Sequence, residues 1–205
     1  MIDIEQFISG FYDVFSNEKN LYPWQLTQSL QAIVEGYVSK VDDQFEVANG
    51  IAVHTSATIE SGAVVKPPAI ISANCFVAAN SYVRGGVYLG KFCIIGPGCE
   101  VKSSIIFHHS VVAHMNFIAD SIIGGDVNFE AGSLTANHYN ERVWKEISVV
   151  HESKIISTNT TRFGSLIGDH CRIGANAVLS PGTLLNPETI VARLDLIDQF
   201  AKENK

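Results

Sequence analysis

The sequence predicts a triangular parallel β-helix with helical segments at both ends. Three observations carry this: a six-residue apolar period, its return after a long interruption, and terminal segments that lack it. Stepping by six from Val53 meets Val53, Ile59, Val65, Ile71, Val77, Val83, Leu89, Ile95, Val101 and Phe107, all large and apolar. The same step from Ala57 meets Ala57, Ala63, Ala69, Cys75, Ser81, Val87, Cys93, Cys99, Ile105 and Val111, all small or β-branched apart from the cysteines. A helix repeats every 3.6 residues and a half-buried strand every two, so neither produces a period of six. A prism does: each hexad supplies a short strand and a turn, three hexads close a coil, and coils stack about 4.8 Å apart through ladder hydrogen bonds. The aliphatic series then fills the interior.

The period returns over Ile123–Leu134 and again over Ile167–Leu184. The β-helix is therefore assigned to residues 46–185, with a polar excursion at 136–165 in which the WKEISVV and KIIST stretches read as short strands. Long departures from a regular scaffold are often functional. Residues 1–45 form an N-terminal helical segment. Pro23 can open a helix, Leu26, Leu30, Ile33, Tyr37 and Val41 follow helical spacing, and a shorter helix is expected over 3–15. The apolar stripe is expected to pack on the first coil or on a neighbouring chain. Residues 186–205 read as a C-terminal helix capping the open end of the coil. There Asn186-Pro187-Glu188 is the start signal, and Ile190, Leu194, Ile197 and Ala201 form one face.

Composition narrows the function. With 205 residues, 46% of them hydrophobic, the chain can bury a large core. A net charge of −7 argues against a nucleic-acid partner, which needs a basic footprint. No run of 18 apolar residues is present, so no membrane helix is expected. The N-terminus carries no signal-peptide pattern, and the four cysteines show no CxxC spacing; a cytoplasmic location with free, packed thiols is expected.

His114 stands in VVAHMNFIADSIIGGDVNFEAGSLTAN, where the period slips between Ala113 and Ile123 and the long excursion follows. A disturbed coil beside a loop is a reasonable place for chemistry.

The hexads resemble the [LIV]-[GAED]-x-x-[STAV]-x repeat of the hexapeptide acyltransferases, and that resemblance implies a left-handed coil. Ala113–Asp120, Ile123–Asn128 and Glu130–Asn137 further resemble the G-H-x-x-Y-x-G-D-x-x-I-G-x-x-V-N-x-G-A-G-T-x-T-x-N stretch of a narrower group. That group is the acetyltransferase domain of glucosamine-1-phosphate acetyltransferases and sugar-1-phosphate nucleotidylyltransferases. Thr161–Asp169 resembles the group's return into the coil. No Gly-rich nucleotide loop precedes the repeats, so a stand-alone β-helix is expected.

The resemblance implies an acetyl-CoA-dependent N-acetyltransferase acting on an amino sugar, a hexosamine 1-phosphate, in a homotrimer. It makes His114 the general base, with Asn137 beside it, and places Arg84, Lys102, Phe117 and Asn128 at the sugar phosphate. Ala131 is offered as the oxyanion N–H, with Arg142 or Lys145 toward the coenzyme. Arg84 and Lys102 lie 18 residues apart, one coil at the regular period, so they stack as an anion clamp. Three positions depart from the pattern: Phe117 replaces a tyrosine, Ala113 a glycine, and Glu130 a glycine, which adds a negative charge. Two other readings stand beside this one. His109 and His114 have the HxxxxH spacing of γ-class carbonic anhydrases, although Ala73 and Asn74 occupy the place of a third histidine. The departures suit a non-catalytic sugar-binding or assembly module.

Overall fold

A computed structural model describes residues 2–199. Short parallel strands wind a three-faced coil whose interior is packed with one aliphatic residue per face. One face stacks Thr58–Ile59, Phe76–Val77, Ile94–Ile95, Val111–Val112, Asn128–Phe129, Arg172–Ile173 and Ile190–Val191. Val77, Ile95, Val112, Phe129 and Ile173 from that face lie in the central core. The other two faces join into one sheet, because Tyr82–Leu89 and Glu100–Ile106 continue around the corner between them. All four cysteines are buried free thiols in the interior.

The period slips earlier than the sequence suggests. Val83 pairs with Val101, 18 residues on, but Leu89 pairs with Ile106, 17 residues on. Arg84-Gly85-Gly86-Val87 is opposed by the shorter Lys102-Ser103-Ser104, and the register shifts there. The next coil keeps the shorter length: Ile95 pairs with Val112 and Val101 with Ile118. Consequently Ile106, not Phe107, enters the interior; Phe107 belongs to a separate outer core. Ile105 also turns outward, and Ser104 is buried at the small inward position in its place. Ser104 tolerates burial because its Oγ donates to the Lys102 carbonyl and accepts the Ser121 N–H.

The outer core forms where the N-terminal segment and the excursion cover one face of the coil. The helix expected over 3–15 is broken into a 3₁₀ turn, Ile4–Gln6, and a single-turn helix α1, Phe11–Val14, by Gly10 at φ 71°. Helix α2, Pro23–Val38, starts at the proline and buries Leu26, Leu30, Val34 and Val38. Ile33 and Tyr37 are only partly buried, so the inner stripe is rotated toward an i, i+4 line. Gly86 permits the docking: a Cβ there would lie 2.7 Å from the Gln31 Cα of α2. The excursion folds its Ser148–His151 and Lys154–Ser157 strands into an antiparallel hairpin, and Ile147, Val149 and Phe163 join the outer core.

The C-terminal helix is not present in the described part of the segment. Ile190–Val191 pairs with Arg172–Ile173, and Leu196–Ile197 with Val178–Leu179. Leu185, Val191 and Ile197 extend the six-residue interior step. Ile190 and Leu194, assigned to a buried helical face, are exposed. The preceding coil offers a row of unpaired ladder groups, and pairing with them outweighs a local N-cap signal. Ala201 and the rest of 200–205 lie outside the described residues.

Candidate active site

Arg84 and Lys102 are register partners on adjacent strands, and Ala119 follows directly beside Lys102 in the next coil. Neither cation is free. Arg84 Nη2 lies 2.6 Å from Glu100 Oε1, with the guanidinium over the Tyr82 ring. Lys102 Nζ donates to both oxygens of Asp120, at 3.2 and 3.0 Å. Asp120 also accepts a short hydrogen bond from Asn137 Nδ2, and Asn137 Oδ1 meets His138 Nδ1 at 3.0 Å. Asp120 thus joins Lys102 to Asn137 at the corner from which the excursion leaves. It sits at φ 48°, a conformation that Asp tolerates better than most residues.

His114 lies at a different corner, between Val111–Val112 and Phe117–Ala119, and its side chain is exposed. Asn116 builds this turn. Its Oδ1 accepts the His114 N–H at 2.8 Å, and its Nδ2 donates to the carbonyls of Glu130 and Ser133 at 2.8 and 2.9 Å. Gly132 N–H donates to the His114 carbonyl, and Ala131 is exposed with no acceptor for its N–H among the described residues. Met115 is 78% exposed at φ 51°, between Gly98 and Gly132 at the equivalent turns of the neighbouring coils. A long side chain in the left-handed region beside a candidate base marks local backbone strain.

Phe117 starts the strand after this turn and pairs with Glu100 and Leu134, so its ring lies between the two corners. Asn128 is exposed on the adjoining face, paired with Val111 and Arg172. It lines a cavity of about 250 Å³ with Glu130, Arg172 and Arg193. Glu130, an added negative charge by sequence, is tied down: Arg193 donates to both its oxygens at 2.8 and 3.0 Å, and the Ala175 N–H donates at 2.9 Å. The Arg193 hydrogen bonds, then the Ala175 N–H, pull its carboxyl down to about 2. Arg142 stacks 3.4 Å from the Tyr139 ring centroid and donates to Asp198 at 3.2 Å, while Lys145 is exposed.

The structure therefore joins Lys102 with Asn137, stacks Arg84 on Lys102, and separates both cations from His114. The sequence reading did not single out Asp120, Asn116 or Arg193 as functional. Asp120 was legible as part of the quoted motif; the other two depend on inter-coil contacts. His109 and His114 stand at opposite ends of one short strand, Val111–Val112, and no group of three or more His, Cys, Asp or Glu among the described residues is placed to hold a metal.

Comparison with known proteins agrees with this architecture. Residues 68–103 match the bacterial transferase hexapeptide family (six repeats), and residues 166–188 match the hexapeptide repeat of succinyl-transferase. A bifunctional sugar-1-phosphate nucleotidylyltransferase/acetyltransferase of Sulfurisphaera tokodaii is 38% identical over 79 residues, 38% of this chain and 19% of that protein. The bifunctional protein GlmU of Methanococcus vannielii is 30% identical over 95 residues, 46% of this chain and 22% of that protein. The GlmU of a Psychrobacter species is 36% identical over 70 residues, 34% and 15% respectively. The matched segments thus span only 15–22% of the length of these relatives. Repeat, ladder register and comparisons agree on a left-handed β-helix that carries transferase-type hexapeptide repeats at residues 68–103 and 166–188 and is similar over part of its length to proteins of the GlmU group.

Proposed function

We propose that the chain is an acyl-CoA-dependent acyltransferase that moves an acetyl group from acetyl-CoA to the amine of an amino sugar, a hexosamine 1-phosphate. The observation that supports this most is the inter-coil stack of Arg84 on Lys102, one strand away from the His114 turn. In the reaction the neutral His114 imidazole accepts a proton as the amine nitrogen attacks the thioester carbonyl. The Ala131 N–H stabilises the oxyanion. The C–S bond then breaks, and the imidazolium returns the proton to the departing thiolate. Asn137, through Asp120, keeps Lys102 oriented. Phosphate binding draws Arg84 and Lys102 partly away from Glu100 and Asp120, and Asn128 and Phe117 shape the sugar pocket. Arg142 and Lys145 lie on the excursion that would border the coenzyme.

Lys102 Nζ donates to Asp120, and the strand Phe117–Ala119 separates Asp120 from the His114 turn. We take the assembly to be a homotrimer, as the resemblance to the hexapeptide acyltransferases implies, with His114 of one chain facing the clamp of the next. Thiol release from acetyl-CoA with a panel of amino sugars tests the reaction. Sedimentation tests for three chains of 22.3 kDa each. Absence of turnover with every amine, in a protein of trimer mass, would leave the second reading: a sugar-binding or assembly module, favoured by the intramolecular neutralisation of both cations.

A further inference from the structure

We propose that the cavity between the end of α2 and the first two coils binds a small phosphate ester carried on a planar ring, at a site separate from the His114 region. The cavity has a volume of about 540 Å³, within the range of small-molecule sites. Tyr37, Phe45, Ile70 and Tyr88 supply an apolar and aromatic lining suited to a ring. Lys40 and Lys91 line the same cavity, and neither enters an ion pair among the described residues. Two ammonium groups without a carboxylate partner among the described residues, Lys40 lying 5.5 Å from the Tyr37 ring centroid, match a dianion such as a phosphate monoester. Asp42 is the carboxylate on this lining, and its Oδ1 is occupied by the Gln44 N–H at 3.0 Å.

Hydrogen bonds and a ring contact hold the walls. Ser56 N–H donates to His54 Nδ1 at 3.1 Å, which leaves Nε2 as the donor to Gln44 Oε1 at 3.1 Å. Asn74 N–H donates to Ser56 Oγ, and Phe45 lies edge-on to the His54 ring at 5.1 Å. Tyr37 Oη donates to Glu18 at 3.0 Å, fixing the end of α2. Lys40 and Lys91 add cationic hydrogen-bonding capacity to these walls. A preformed, cationic, aromatic cavity loses little ordering entropy when such a ligand enters. The cavity draws on residues 37–91 over a face that α2 covers, whereas His114 and the stacked cations stand at other corners.

Amide-resolved NMR titration of the intact protein with phenyl phosphate tests this, with benzyl alcohol and inorganic phosphate as the two half-ligands. Phenyl phosphate is expected to shift resonances around Tyr88 and Lys91. Each half-ligand should bind at least about tenfold more weakly. Lys40→Ala with Lys91→Ala should weaken phenyl phosphate by about tenfold to a hundredfold, while Lys102→Ala leaves it unchanged. Both cavity lysines are exposed, and an unaltered melting curve of the double variant shows that the fold is intact. Binding that survives the double variant, that is lost in Lys102→Ala, or that never touches these resonances overturns the proposal. The readout needs no turnover, so it stands or falls separately from the acetyltransferase reading.

Discussion

Asn116→Ala should be among the most damaging single changes near the candidate site, although the side chain touches no substrate in the proposed reaction. Asn116 is 2% exposed and closes the His114 turn from inside. Alanine deletes the acceptor for the His114 N–H and the donor to two carbonyls, bonds of 2.8, 2.8 and 2.9 Å. At about 1 kcal/mol net for each, and more for a partner left buried and unpaired, the loss is about 2–4 kcal/mol. Glu130 O retains the Ser133 hydroxyl at 2.7 Å, which keeps the figure from rising further. Urea unfolding at a fixed protein concentration measures it, with the slope checked for constancy. Asn128→Ala is the control: exposed, on the neighbouring strand, with an expected change within about 0.5 kcal/mol. An Asn116→Ala loss below about 0.5 kcal/mol, or equal to that of the control, would refute the view that this amide holds the turn.

Four further outcomes follow from the geometry. Met115→Gly should stabilise the protein by about 0.5–1 kcal/mol, because relief of the left-handed conformation outweighs glycine's entropy and little buried area is lost; calorimetry decides the sign. Glu130 has a depressed pKa, so its link to Arg193 supports the fold above the ordinary carboxylate range and is lost as pH falls toward about 2; Glu130→Gln should flatten the acid limb of the stability curve. His114→Ala should lower acetyl transfer by about 10²–10⁴-fold with the coil still folded, as circular dichroism would report. Lys102→Ala should raise the KM for the phosphorylated acceptor by about tenfold to a hundredfold and leave that for acetyl-CoA nearly unchanged; equal effects on both would detach Lys102 from the phosphate.

The candidate site was partly legible. The 18-residue interval between Arg84 and Lys102 equals one coil of the regular period, and the two are indeed register partners. Their neutralisation by Glu100 and Asp120 was not legible, since an ion pair needs side-chain direction as well as coil position. Glu130 shows the same limit: by sequence it is an added charge, yet Arg193, 63 positions away, meets it across the stacked coils.

What the sequence determined by itself is the parallel coil and its small-large interior. A six-residue step is a local property that places each side chain inward or outward before any distant contact forms, and all four cysteines obey it. Tertiary structure decided the exceptions. The shortened corner opposite Gly85-Gly86 moved Ile106 inward in place of Phe107, because ladder pairing is made coil to coil and carries a lost residue forward. The end of α2, the excursion hairpin and the outward-turned Ile105 found one another across the covered face. At the C-terminal end, Ile190–Val191 and Leu196–Ile197 became strands despite a helix-start signal. The open coil below them presented unpaired backbone groups, and satisfying those groups outweighs the few tenths of a kcal/mol per residue, on the order of helix propensity, that favoured a helix.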